Sequence, residues 1–340
     1  MKQPRFSPLT RALSATSAAV LAGAALVGCS TDSASGGDGV EGAGGADPAS
    51  VVATTKVWAD VASAVTGTDV NAIISDASLD PHYFEPNAKD LARLKQAGTV
   101  VANGGHYDAA LYTVAEQDRV IHAVPLQNHG AEEEHDHSHS DHEHDHEHDH
   151  DGHDHGDHST AGLPQDIDQL EHVWMAPSKV KDVAAQVEER VGGDAGSVEK
   201  RMGAIEDRLA ALPHVHVAMT ETIGAPLIWG TELHDLTPEE YSRAALNHSE
   251  PSVSAVADFI EQIESGDLDL LIVNPQSSNN ATDRLVKAAE ENNVPIVEIR
   301  ETPPEGTNFL DYFEQVVGDI AAIAEKAEPQ PETEIDSRVG

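Results

Sequence analysis

Two short segments of this 340-residue chain set a histidine among proline and acidic residues. They are Asp80-Pro81-His82-Tyr83-Phe84-Glu85-Pro86 and Glu171-His172-Val173-Trp174-Met175-Ala176-Pro177. The prolines of the first fix a turn just after an apolar, strand-like run, which puts His82 at a strand's C-terminal end, facing a cleft. Between the two segments, residues 129–158 hold twelve His and twelve Asp or Glu, with neither Lys nor Arg. Neutral imidazole suits zinc, copper and nickel, and nearby carboxylates strengthen binding by charge and by hydrogen bonds to the ring. The chemistry these residues point to is capture of a divalent metal ion.

Within the dense stretch, His135, His137, His139, His142, His144, His146, His148, His150, His153 and His155 are the accessory metal-binding candidates. Alternating His with Asp or Glu cannot bury a core, so 129–158 is expected to be a disordered surface loop. Its flexible span of roughly 30 Å would reach a nearby cleft and present metal there at high effective concentration. Such a segment defines no single coordination geometry, so the tight site is expected elsewhere. A solvated low-complexity insert with adventitious metal affinity is the plainer reading of the same composition.

The N-terminus sets the compartment. Lys2, Arg5 and Arg11 precede an uncharged, small-apolar run over 12–27, the layout of a secretory signal over 1–28. It ends in Leu26-Val27-Gly28-Cys29, which resembles a bacterial lipobox; acylation of Cys29 would anchor the chain to the outer face of the cytoplasmic membrane. Cys29 is the single cysteine, so neither an intramolecular disulfide nor a thiolate zinc site is available. Residues 29–50, rich in Gly, Ala, Ser and Asp, read as a flexible tether, and 328–340 as a disordered tail. The formal net charge is −40, which repels nucleic acid and draws cations.

The elements that must position the histidines follow from alternating apolar runs and amphipathic stretches. Strands are expected over 51–55, 70–75, 99–102 and 119–124, with helices over 57–65, 87–96 and 106–116. The pattern returns with strands over 215–220, 268–274 and 295–299 and helices over 253–265, 282–292 and 309–326. Between the halves, 178–212 has helical period but is interrupted by Gly192, Gly193 and Gly196. The fold class is therefore α/β: an N-terminal lobe over 51–177 and a C-terminal lobe over 213–327. Each is a mainly parallel sheet flanked by helices; a long helix over 178–212 joins them, and the ligand lies between.

The two His-bearing segments resemble the DPHxYEP turn and DPHVWLDP segment of the bacterial zinc/manganese substrate-binding proteins of ABC importers. The order of lipobox, first lobe, His-rich loop, connecting helix and second lobe is similar over nearly the whole chain from Val51 to Lys326. Ser249-Glu250-Pro251-Ser252 and Asn274-Pro275-Gln276 are further matches. The resemblance implies that His82 and His172 are the N-lobe metal ligands, and that a monomer delivers its ion to a membrane permease with only small lobe closure. It also implies Glu221, in Met219-Thr220-Glu221-Thr222, where zinc members usually carry a His-Asp pair and manganese members a glutamate. The fourth implied ligand is an acid after the last strand, assigned to Glu301. Two neutral His with two carboxylates form a neutral complex with Zn2+ or Mn2+; the His-rich loop favours Zn2+, and Mn2+ is the alternative.

Other histidines are read more plainly. His214 and His216 share a strand face and could chelate, although such a pair at a strand start is more often surface. His106, His122, His234 and His248 lack partner spacing and read as ordinary polar residues, with His234 the substitute should Glu221 not serve. Trp174 is expected to pack beneath His172. A metallohydrolase is disfavoured, because His-Glu-x-x-His occurs only within the alternating 129–158 stretch, which carries no helical apolar period, and no Gly-x-Ser-x-Gly elbow occurs. Metal buffering or adhesion without a transporter stays open.

Overall fold

The computed structural model describes residues 47–127, 163–164 and 166–327. Cys29, the signal, most of the expected tether, the His-rich candidates of 129–158 and the tail 328–340 lie outside the described residues. The apolar runs form two four-stranded parallel sheets. The first contains β1 (Asp47–Thr55), β2 (Asn71–Ile74), β3 (Ala97–Ala102) and β4 (Val120–His122), in the order β2-β1-β3-β4. The second contains β5 (Val215–Met219), β6 (Leu233–Asp235), β7 (Leu270–Val273) and β8 (Ile296–Glu298), in the equivalent order β6-β5-β7-β8.

Every residue of β5 and β7 is buried: β7 is an unbroken Leu-Leu-Ile-Val run and β5 is apolar apart from the buried His216, because both faces of a parallel sheet are covered. In the first sheet α2 (Ala88–Gln96) and α3 (Ala109–Tyr112) cover one face, in a cluster with Leu94, Val100 and Leu111. In the second, α8 (Val253–Glu264) and α9 (Asn280–Glu291) do the same through Phe259, Leu271 and Leu285. The opposite faces share one continuous core. It runs from Val101 and Ile121 through Trp58 and Trp174 to Val217 and Ile272, with α10 (Phe309–Ala324) contributing Phe309, Phe313 and Ile320. One core behind both sheets makes the pair of lobes stiff where they meet.

Four sequence expectations need correction. The 178–212 connection is two helices, α4 (Pro177–Val191) and α5 (Gly196–Ala210), packed on each other, on α1 (Lys56–Thr66) and, for α5, on α10. The break is physical: Gly192 and Gly193 have φ of 89° and 117°, and a Cβ at Gly193 would meet the Val65 carbonyl oxygen at 2.1 Å. Asp194 N–H then donates to that same carbonyl at 2.9 Å. Strand β1 begins at Asp47, inside the expected tether, and pairs there with Ala97 across a register shift. The helix expected over 106–116 shrinks to α3, because the Asp108 side chain is engaged by Thr54, Asn103 and Gly104 instead of continuing a helical turn. The three-residue strand β6 was not anticipated; Leu-His-Asp is too short to carry a period.

Candidate metal centre

Three of the sequence-implied ligands, His82, Glu221 and Glu301, lie in the segments that follow β2, β5 and β8, and His172 lies just before α4, far along the chain from β4. After β2 the chain enters a single 3-10 turn, Pro81–Tyr83, with Pro81 at its start and Asp80 as its cap. The Asp80 carboxylate accepts the His82 N–H at 2.9 Å and lies 3.0 Å from His82 Nδ1, so one acid fixes both the turn and the ring. His172 immediately precedes a second 3-10 turn, Val173–Met175, whose side chains are buried; Trp174 packs edge-on against the His172 ring at 5.2 Å, as expected. Glu221 leaves β5 and Glu301 follows β8.

These four side chains converge. One ligand atom from each of His82, His172, Glu221 and Glu301 lies within 4.8 Å of the others. His172 Nε2 is 3.0 Å from Glu221 Oε1 and 4.0 Å from Glu301 Oε1, and His82 Nδ1 is 3.3 Å from Glu301 Oε1. A tetrahedral zinc ion with bonds of about 2.0–2.2 Å sets its donors roughly 3.4 Å apart, so the spacing suits one small ion. Both His172 nitrogens are buried without a well-aligned hydrogen bond, and Nε2 faces Glu221 at ion-pair distance, 3.0 Å. A buried imidazole without such a bond, aimed at two carboxylates, is the donor geometry a cation would complete.

The carboxylates are held from the C-terminal lobe. Asn274 Nδ2, just beyond β7, donates to Glu221 Oε2 at 2.5 Å and to Glu301 Oε1 at 3.0 Å, and Ser277 Oγ donates to Glu221 Oε2 at 2.6 Å. Tyr107 of the N-terminal lobe reaches across to donate its hydroxyl to Glu301 Oε2 at 2.8 Å. Gln276 also spans the lobes: its Oε1 accepts the Glu301 N–H at 2.8 Å and its Nε2 donates to the Leu79 carbonyl at 2.6 Å.

Behind the histidines, Asp108 accepts the Thr54 hydroxyl at 2.5 Å and the Asn103 N–H at 2.7 Å, and Asn103 Nδ2 donates to the Glu171 carbonyl at 2.8 Å. The loop between is drawn tight: Gly104 has φ of 88°, and a Cβ there would meet the Val124 carbonyl oxygen at 2.1 Å. Backbone position at His172 is thus set from β1 and β3.

Charge within the site is complementary. Burial disfavours ionised Glu221, but the facing His172 and the Ser277 hydroxyl outweigh it and hold the carboxyl well below the usual range. Burial likewise disfavours the imidazolium of His82, yet Asp80, Glu171 and Glu301 more than compensate and raise its pKa far above that of a free histidine. A cavity of about 140 Å³ opens beside the cluster, with Asp80, His82, Glu221, His248 and Ser277 on its walls. Pockets for organic ligands run to roughly 300–1,000 Å³. This one is smaller, and neither His172 nor Glu301 lines it, so it forms the approach to the cluster.

Sequence reading missed two participants. His248, read as an ordinary polar residue, places Nε2 2.9 Å from Glu171 Oε2, and the same oxygen is 3.2 Å from His82 Nε2. The signal for Glu171 was its position beside His172; for His248 it was adjacency to Ser249-Glu250-Pro251-Ser252. His234 lies away from the cluster. It is paired with His216 across β5 and β6, the rings 5.7 Å apart, with His214 5.3 Å from His216. It therefore does not substitute for Glu221. His106 and His122 do not join the cluster either.

Two parallel α/β sheets whose following loops bring four metal-ligating side chains together define a two-lobed substrate-binding protein. The chain belongs to the ZnuA family, described as the periplasmic component A of the zinc-uptake complex, whose model matches residues 51–324. It is thus an extracytoplasmic metal-transport component and not an enzyme, and it falls within a family that works with ABC permeases. Similar solved structures include Zn(II)-bound AdcA from Streptococcus pneumoniae, at 16% identity and a TM-score of 0.52 over 84% of this chain and 60% of that one. FpvC from Pseudomonas aeruginosa in complex with Mn2+ matches at 15% identity and a TM-score of 0.54, over 82% and 98%. The laminin-binding protein Lmb of Streptococcus agalactiae, described as having adhesin and metal transporting activity, matches at 11% identity and 0.54, over 81% and 98%. At such identities the likeness is one of fold. No curated protein matches the chain in sequence. No helix among the described residues is long and apolar enough to cross a membrane.

Proposed function

We propose that this protein captures one Zn2+ ion between its lobes through His82, His172, Glu221 and Glu301 and delivers it to the permease of an ABC importer. The observation that carries the reading is the convergence of those four donors from four separate segments onto a space for one ion. Two imidazoles and two carboxylates leave no net charge on a divalent complex, which lowers the cost of burying it. The His-rich stretch 129–158 would collect ions outside the tight site, and acylated Cys29 would hold the monomer at the outer face of the cytoplasmic membrane. Because Glu221 supplies oxygen where a further nitrogen would favour zinc, Mn2+ is the second reading; the Mn2+ complex of FpvC supports it for this fold.

Calorimetric titration of the ion-free protein with Zn2+ and Mn2+ tests both. One tight Zn2+ site that persists when 129–158 is deleted, with weaker Mn2+ binding, is the expected result. Loss of the tight site with that deletion would overturn the assignment to the cleft, and tighter Mn2+ binding would replace the cargo.

A further inference from the structure

His248 occupies a left-handed backbone position that glycine adopts most readily and that few non-glycine residues take. It follows the C-terminus of α7 (Glu239–Leu246) as the left-handed residue of a Schellman turn, with φ of 49°. Its N–H donates to the Ala245 carbonyl at 3.1 Å, and the Ser249 N–H donates to the Ala244 carbonyl at 3.0 Å, closing the pair of bonds that defines the motif. Glycine is the usual occupant of this position, because a Cβ is strained in the left-handed region. Among the described residues, the only other non-glycine residue with positive φ is Asn293; asparagine and histidine are both among the side chains that enter this region more often than most.

What the imidazole does in return is visible across the cleft mouth. His248 Nε2 is 2.9 Å from Glu171 Oε2, that oxygen is 3.2 Å from His82 Nε2, and the two imidazole rings are 4.9 Å apart. One ligand atom from each of His82, Glu171 and His248 lies within 4.8 Å of the others, so this trio is a second donor cluster beside the first. Side-chain exposure falls steadily inward: 49% at His248, 23% at Glu171, 13% at His82, then 2% at His172 and 0% at Glu301. The ring of His82 belongs to both clusters, with Nε2 toward Glu171 and Nδ1 toward Glu301.

We propose that His248, Glu171 and His82 form an outer station at the cleft mouth, where an incoming divalent transition-metal ion binds first and then passes to the buried four-donor cluster. The proposal rests on the metal-capture reading above. Two imidazoles and one carboxylate leave coordination positions open to water, which suits a transient stop more than a closed site. From there the ion exchanges Glu171 and His248 for His172, Glu221 and Glu301 stepwise and is never without protein ligands. Acceptance of a histidine where glycine fits best is then the cost of keeping a donor at the entrance.

The test is stopped-flow kinetics of Zn2+ association, and of dissociation into excess chelator, for the full chain and its His248→Gly and Glu171→Gln variants. A station on the path serves entry and exit alike, so in His248→Gly both rate constants should fall together, by about tenfold, with the equilibrium constant of the tight site changed less than about threefold, whereas Glu171→Gln, which also unties His82, is read for slower association alone. His248→Gly keeps the turn in its preferred residue, so the melting temperature of the ion-free variant should match or exceed that of the unaltered chain. Faster dissociation with weaker equilibrium binding would make His248 a ligand of the stored ion and overturn the proposal. Unchanged rates in both variants would reduce the trio to an ion pair and overturn it as well. If the unaltered chain has no tight zinc site at all, the metal-capture reading itself fails, a result distinct from either of these.

Discussion

The two lobes share one topology and strand order, yet they bring opposite chemistry to the cleft. The N-terminal sheet presents nitrogen: His82 and His172 stand on proline-bounded 3-10 turns, positioned through Asp80 and the chain of Thr54, Asp108 and Asn103. The C-terminal sheet presents oxygen: Glu221 and Glu301 share the amide of Asn274. Repeating a scaffold duplicates the place where a site forms, at the carboxyl ends of parallel strands, and leaves the donor type to whatever each loop carries. Splitting neutral and anionic donors between lobes also gives the two halves a reason to close on a cation. Asn274, Ser277, Tyr107 and the facing histidines offset the mutual repulsion of Glu221 and Glu301.

Removing a nitrogen donor should break this division most severely. His172→Ala is expected to lower zinc affinity by more than about 100-fold, measured by chelator competition, while the far-ultraviolet circular dichroism is retained; a smaller loss would remove His172 from the site.

Proton competition should come next. Because the carboxylates around it keep His82 protonated well above the usual range, the ion must displace a proton at neutral pH. Affinity should therefore rise with pH, by about tenfold per unit for each proton released, and calorimetry in buffers of different ionisation enthalpy should detect at least one proton. Zero release would show that the nitrogen donors are already neutral.

A smaller effect is expected from the tie between lobes. Tyr107→Phe removes the only N-lobe hydroxyl bonded to Glu301 among the described residues and should weaken zinc binding about tenfold, within the range of outer-shell substitutions. An unchanged affinity would mean that the C-terminal lobe orients its own carboxylates unaided.

The smallest effect concerns stability. Each lobe buries an aspartate whose pKa is pushed up to about 6 by burial, Asp108 in the first and Asp235 in the second. Their surroundings differ: Asp108 accepts three hydrogen bonds, whereas Asp235 Oδ1 takes the Thr237 N–H and Oδ2 has no partner. A folded-state pKa above the unfolded value means the folded state holds the proton more tightly. The stabilisation is complete below about pH 4 and is lost as pH rises through about 6. Asp235→Asn should abolish that loss and be the more stable form at pH 7.5, by on the order of 1–3 kcal/mol in urea unfolding. Asp108→Asn, which forfeits an acceptor for three donors, should be the less stable form.

Much of this comparison was legible before any coordinates. Strand and helix alternation announced two parallel α/β units, because strands covered on both faces are near-continuously apolar, as β7 is throughout and β5 is apart from His216. The segments around His82 and His172 stood out through proline spacing, and Glu221 and Glu301 were implied by a family resemblance. What failed did so for local reasons. Four residues at Gly192–Ala195 turned one helix into a packed pair, since left-handed backbone stops a helix that its period would continue. Strand β6 was too short for any alternation to register.

Residue type and order along the chain determined the donors and the sheets that carry them, because ligand chemistry and burial pattern are properties of single side chains and their neighbours. Only the tertiary structure decided which donors meet. His248 lies 77 positions beyond Glu171 and no periodicity links them; a left-handed turn after α7 sets one against the other. His234, by contrast, is held at His216 by the register of β5 with β6, and that pairing withdrew it from the cleft. Contacts across such separations depend on where loops close and on how strands register, and a linear pattern does not encode either quantity residue by residue.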